Sequence, residues 1–162
     1  MRLIPIRKTH LELIRRWRNT NRHFFLDSRH ISKAAQLKWY ARYRKSHTEI
    51  LYMVYIGNHP VGTAGLDFTH PLKPEIGRFI LGDTAFARQG IMSQAMRLLV
   101  KKHPSPVYTG VVLKNNPRIL GFDQKNGFTI VSEDIRCYYL EKLGPLHDHY
   151  IPLLQPSCSR GI

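Results

Sequence analysis

The segment from Pro74 to Leu113 constrains the fold most, because its periodicities run strand, helix, strand. "PEIGRFILG" reads as a strand. "GDTAFARQGIMSQAMRLLVKK" opens with turn-forming residues, passes through Arg88-Gln89-Gly90 and continues as an amphipathic helix. Ile91, Ala95, Leu98 and Leu99 recur at i, i+4, i+7 and i+8 as a face fit to pack on a sheet. "SPVYTGVVL" is a continuous apolar run of the kind buried in mid-sheet. A helix therefore crosses over between two strands, and its N-terminus follows the first of them directly.

The flanking elements fit around this unit. "RLIPI" reads as a first strand, and "HLELIRRWRNTNRHF" as a helix whose inner face is Leu11, Ile14 and Trp17, with Leu13 beside them. Ser32 is placed to cap a second helix carrying Ala35, Leu37, Trp39, Tyr40 and Tyr43 as an apolar stripe. "EILYMVYIGNHPVGTAGLDF" is a hairpin turning at Gly57-Asn58. Asn116 with Pro117 starts a last helix, Asn126-Gly127 closes it, and strands follow from Phe128 and in "IRCYYLEKL". The order predicts an α+β fold: a mixed, mostly antiparallel sheet of about seven strands flanked by about four helices. Residues 1–143 form a single domain in this reading. Residues 144–162 form a proline-rich tail that docks through Tyr150, Ile151, Leu153 and Leu154.

With 162 residues, 43% of them hydrophobic, the chain can bury a core of its own. The start has no apolar run of the signal-peptide kind, and no stretch approaches the roughly 18 apolar residues of a membrane span, so a cytoplasmic protein away from membranes is expected. Cys137 and Cys158 read as free thiols. Lys and Arg number 25 against 11 Asp and Glu, a formal charge of +14. Such a surface attracts phosphate on a cofactor, a nucleotide-linked substrate or a nucleic acid, and argues against polycationic substrates; the alternative is a merely solubilising charge. His147-Asp148-His149 is at most part of a metal site, so no metal is expected.

The free amides of a helix's first turn, with its dipole, form an anion site that glycine lets a phosphate approach closely. Residues Arg88, Gln89, Gly90, Ile91, Met92 and Ser93 are thus a candidate pyrophosphate cradle, or Gly90 simply makes a turn. The order of elements, with "EIGRFILGDTAFARQGIMSQAM" and "NNPRILGFDQKNGF", resembles the GCN5-related N-acetyltransferase (GNAT) family from roughly Arg2 to Lys142. The resemblance implies acetyl-CoA as donor. Its pantetheine arm would pair with backbone at Phe79, Ile80 and Leu81 and bond Asn116, with Lys125 also in the donor set. The family's Arg/Gln-x-x-Gly-x-Gly/Ala pattern falls on Ala87 to Met92, keeping Gly90 but departing at Ala87 and Met92. Those departures are expected to weaken donor binding without abolishing it, because backbone amides make the main contacts.

The family's tyrosine, often the proton donor to the departing thiolate, is replaced by Asp123. An ionised aspartate cannot donate a proton unless burial raises its pKa, so the acid stays open between Tyr138, Tyr139 and solvent, and Asp123 reads equally as a solvated helix residue. Glu75 is the candidate base, because strand alternation puts it on one face with Gly77 and Phe79, opposite Ile76, Arg78 and Ile80; an exposed strand start is the plainer alternative. Backbone amides near Ile80 and Leu81 are placed to polarise the thioester carbonyl. "WRN" at Trp17 to Asn19 resembles ribosomal-protein alanine acetyltransferases and the nucleotide-linked amino-sugar acetyltransferases of bacterial surface-sugar synthesis, such as the pseudaminic acid type. That implies Trp17, Arg18, Asn19, Arg22 and His23 as acceptor-site residues. The expected activity is acetyl transfer to a primary amine on a small phosphate-bearing acceptor. Alternatives are acetylation of protein N-termini at the ribosome and a non-catalytic module binding nucleic acid or a partner. A homodimer is compatible with an open sheet edge.

Overall fold

A computed structural model of the chain describes residues 1–147. The tail residues Tyr150, Ile151, Leu153 and Leu154, together with Cys158, Asp148 and His149, lie outside the described residues. The architecture is α+β. Seven strands form one sheet in the order β1-β2-β3-β4-β5-β7-β6: β1 is Arg2–Pro5, β2 Glu49–Ile56, β3 His59–Asp67, β4 Glu75–Leu81, β5 Val107–Leu113, β6 Thr129–Glu133 and β7 Cys137–Leu143. The helices are α1 Leu11–Thr20, α2 Lys33–Tyr43, α3 Ile91–Lys102 and α4 Pro117–Lys125. Only β4 and β5 pair in parallel, as the α3 crossover requires.

Local chemistry sets the element ends. The Ser32 hydroxyl accepts the Ala35 amide at 3.1 Å, and the Asn116 side chain accepts the Ile119 amide at 3.3 Å, with Pro117 at the first helical position. Gly57 takes the β2–β3 turn at φ 57°. The Arg2 guanidinium staples that turn by donating to the Gly57 carbonyl at 2.6 Å.

The sheet is covered on both sides, and β2 alternates between them. Tyr52 and Val54 join Ala64, Leu66, Ile76, Tyr108 and Leu140 beneath α3 and α4. Leu51 and Met53 join Ile6 and Ile14 beneath α1 and α2. Two expected stripes shift by helical phase. On α3 the buried face is Ile91, Ala95, Met96 and Leu99, while Leu98 is partly exposed. On α2 Gln36 is buried with Trp39, Tyr40 and Tyr43 beside it, and Leu37, expected inside, is 50% exposed.

β4 carries the largest departure from simple alternation. Gly65 pairs with Gly77 and Thr63 with Ile80, so β4 fits one extra residue into the ladder, and Arg78 sits at φ 56°. A left-handed arginine costs about 1–2 kcal/mol and needs support. The fully buried Thr63 hydroxyl donates to the Arg78 carbonyl at 2.7 Å, and the guanidinium bonds Glu49 at 2.8 Å and lies over the Trp39 ring. The bulge overturns the expected faces. Glu75 follows Glu49 and Asp67 in register on the α1/α2 side, whereas Phe79 turns to the other side and packs near Phe122, with ring centroids 6.0 Å apart.

Candidate active site

β4 and β5 touch at their beginnings and then part. Glu75 is the one residue of β4 in register with β5, opposite Thr109, whose amide donates to the Pro74 carbonyl at 3.0 Å. Beyond it, β5 gives its ladder to β7 from Val107 to Leu113. The β5-facing edge of β4 is therefore left to line a cleft of about 910 Å³, solvent at its mouth included. Ile76 to Leu81 form one wall, Val112, Leu113 and the first turns of α4 the other, and Asn21, Phe24 and Phe25 overhang it.

The donor-site expectations fall on and beside this cleft. Phe79, Ile80 and Leu81 line it through the unpaired strand edge. Asn116 lines it while only 4% exposed; its side-chain oxygen caps α4, which leaves its amide hydrogens without a partner among the described residues. That orphaned donor fits the amide-rich pantetheine arm. At the N-terminus of α3, Gly90 is left-handed at φ 72°, no side chain caps the helix, and nothing lies within 4 Å of where a Cβ would sit. The free amides of Ile91, Met92 and Ser93 thus open onto a space that suits a pyrophosphate.

The departures from the family pattern have physical answers. The Met92 side chain turns inward, its sulfur 3.3 Å from where a Cβ on Gly62 would lie, so it leaves the cradle free. The Gln89 amide donates to the Ala85 carbonyl at 2.9 Å and braces the loop, while Arg88, exposed and left-handed at φ 62°, is the cation nearest in sequence to Gly90. Ser93 accepts from Asn126 at 3.1 Å and ties α3 to the end of α4, where Lys125 is exposed. No acidic residue occurs between Asp83 and Asp123, so the Gly90 turn and α3 carry no anionic competitor.

One carboxyl lines the cleft, and a second lies beside it. Asp123 lines the cleft, and its carboxyl has no hydrogen-bond or cationic partner among the described residues. Burial alone pushes its pKa up to about 7. Asp123 is thus neither a solvated helix residue nor an obligate anion. Glu75 is exposed at the start of β4, as the plainer alternative had it, yet it is also raised, first by partial desolvation and then by the Asp67 charge, with Arg78 opposing. It does not line the cleft itself. Its carboxylate leans along the sheet, 3.7 Å from where a Cβ on Gly77 would lie, and Gly77 does line the cleft.

None of the five expected acceptor residues lines the cleft, because the end of α1 builds the loop that does. The Trp17 ring packs flat on Gly82. Asn19 clamps Ile31 twice, accepting its amide at 2.8 Å and donating to its carbonyl at 2.9 Å. Arg18 stacks 3.6 Å above the Phe25 ring and donates to the Asp27 carbonyl, with its Nη1 buried and unpartnered. Arg22 and His23 are exposed beside Phe24. The residues presented instead are Asn21, Phe24 and Phe25, with Arg118 across the cleft. The adjacent phenylalanines after a polar helix end were the signal for them.

Among the described residues no group of His, Cys, Asp or Glu could hold a metal, and no helix is long and apolar enough to cross a membrane. No curated protein matches the sequence. Solved structures match its fold. Campylobacter jejuni N-acetyltransferase PseH in complex with acetyl coenzyme A has a TM-score of 0.68 at 19% identity, over 88% of this chain and 97% of that one. FdhC, a nucleotide-linked sugar GNAT, has a TM-score of 0.72 at 19% identity, over 93% and 90%. Spermidine N-acetyltransferase from Vibrio cholerae, with CoA and spermine, has a TM-score of 0.74 at 13% identity, over 88% and 94%. Identities this low speak for the fold. The model of the acetyltransferase (GNAT) family matches residues 12–128, most of the sequence and every element of the cleft, and the chain accordingly belongs to that family of N-acetyltransferases.

Proposed function

We propose that the chain transfers an acetyl group from acetyl-CoA to the primary amine of a small anionic acceptor, with a nucleotide-linked amino sugar as the preferred class. The observation that carries the reading is the cleft between parted strands that ends on Asp123, whose carboxyl burial pushes up to about 7. Acetyl-CoA supplies the activated acyl group. The chain's residues then have separable tasks. The α3 amides with Arg88 hold the pyrophosphate, and the β4 edge with Asn116 aligns the arm. Glu75 removes the ammonium proton through water across Gly77. The backbone amides of the bulged strand near Ile80 polarise the carbonyl. Asp123 donates its proton to the departing thiolate. A thiol pKa of about 8.5 lies above that of Asp123, so this transfer runs downhill.

The acceptor class rests on the overhang. Phe24 and Phe25 offer ring faces for a base, and Arg118 adds positive charge for a diphosphate. FdhC is by name a nucleotide-linked sugar GNAT, which is consistent with this choice. The cleft mouth opens to solvent, which makes protein N-terminal acetylation the second reading. Thiol release should be followed with acetyl-CoA and matched panels of UDP-linked amino sugars, N-terminal peptides and spermidine. Preferential turnover of the nucleotide sugars, with Phe25→Ala raising KM more than it lowers kcat, is the expected result. Preference for peptides or spermidine would refute the acceptor class, and no turnover with any amine would refute the whole reading.

A further inference from the structure

The donor site accounts for one acid-free segment of the chain and leaves another unexplained. Between Asp27 and Glu49 there is no acidic residue, and the segment carries Arg29, Lys33, Lys38, Arg42, Arg44 and Lys45. Only Arg29 among them is paired, with Asp27 at 2.7 Å; the other five are exposed on α2 and its end, with no ion pair among the described residues. Lys38 and Arg42 sit on the far side of α2 from the sheet, because Gln36, Trp39, Tyr40 and Tyr43 take the inner face; Lys33 and Arg44 lie on its flank, and Lys45 follows the helix end. Ala34 and Ala41 lie between them, both exposed, so the middle of the surface is low and its rim is cationic.

We propose that this outer face of α2 docks the sugar–phosphate backbone of duplex RNA. Three features select the partner. An anionic membrane needs a helix with a free apolar face, whereas the aromatic face of α2 is buried and Leu37 is its one exposed large hydrophobic residue. Single strands are gripped by stacking bases on aromatic rings, and none points outward here. The helix's one side-chain amide, Gln36, is buried, so this face has no group that pairs bidentately with adenine, and its exposed cations are left chiefly for phosphates. Backbone contact with a duplex remains, and an A-form duplex is recognised chiefly by shape and phosphates. From Lys33 to Arg42 the helix rises about 14 Å, and Arg44 and Lys45 extend the run past its end, a span of several phosphates on one strand.

The test is fluorescence anisotropy of a labelled duplex RNA of about 20 base pairs with the full chain, titrated between 50 and 200 mM KCl. Five cations predict a slope of about −4 in log K against log salt, or a loss of about 250-fold across that range. Lys38→Glu with Arg42→Glu and Lys45→Glu should cut the slope to about −2 or less and weaken binding at least tenfold, while acetyl-CoA binding stays unchanged. The control reverses three exposed cations elsewhere, Arg97→Glu with Lys101→Glu and Arg136→Glu, and should keep most of the affinity. If the α2 reversal does not fold, Lys38→Ala with Lys45→Ala reports the same face by lowering the slope by about 2. The proposal is overturned by no RNA binding, by equal loss in the control, by equal affinity for duplex DNA of the same sequence, or by preferential binding to phosphatidylserine vesicles.

Discussion

Replacing Asp123 by Asn tests the chemistry at its least conventional point. Burial raises this carboxyl from 3.8 to about 7, roughly three units, and at about 1.4 kcal/mol per unit that is about 4 kcal/mol of preference for the neutral form in the fold. The folded state therefore holds the proton more tightly than the unfolded chain. The stabilisation this provides is fully present below the unfolded pKa near 3.8 and is lost as pH rises through about 7. Asp123→Asn cannot ionise, so relative to the parent it should gain up to about 4 kcal/mol between pH 4 and pH 8, read from urea unfolding at a series of pH values. Its turnover should move the other way. With the proton donor gone, kcat is expected to fall by about 10²- to 10⁴-fold and to lose the alkaline limb that the parent shows near pH 7. Asp123→Tyr, which restores a hydroxyl donor at this helix position, should recover much of the rate. An Asp123→Asn protein with the parent's kcat and the parent's stability profile would show that the carboxyl neither stays neutral nor donates.

Glu75→Gln should lower kcat by about 10²-fold or more and remove the acidic limb of the pH–rate profile, a limb shifted above the ordinary glutamate range by burial and Asp67; an unchanged limb would exclude Glu75 as base. Gly90→Asp places an anion where the structure leaves open space, so calorimetry should find acetyl-CoA binding abolished while Gly90→Ala, strained by about 1 kcal/mol but uncharged, still binds. Thr63→Val keeps the shape but leaves the Arg78 carbonyl without its donor, and should cost about 1–3 kcal/mol in urea unfolding together with a drop in kcat as the bulge relaxes.

The parts of this fold that are legible in the sequence are those written in short-range chemistry. Ser32, Asn116-Pro117 and Gly57-Asn58 announce their caps and turn because each solves a local backbone problem with its own side chain or its own freedom. The α3 crossover is equally plain, and with it the turn at Gly90. The bulge at Arg78 is invisible because an arginine gives no sign of a left-handed backbone; Thr63, fifteen positions away, enforces it. Strand alternation therefore assigns Phe79 to the wrong face. The acceptor side fails for a related reason. Arg18 and Asn19 read as binding groups, but they spend their polar atoms on holding the loop that carries Phe24 and Phe25. Asp123 reads as unfit for its position until its surroundings are known, since a carboxyl's protonation depends on solvent access and not on its neighbours in the chain.

The single ladder contact between Glu75 and Thr109 also bears on how this protein holds itself together. The strands β1 to β4 and β5 to β7 form two sheets in all but name, joined by one register position, by α3 and by the cores beneath it. A donor arm bound in the gap, as proposed above, would act as the missing length of strand, and occupancy and cooperative unfolding would then share one free energy. At a donor concentration of about 100 times its Kd that coupling amounts to about 2.7 kcal/mol. It should fall most heavily on the slow hydrogen exchange of β4 and β5, the two strands that the ligand joins.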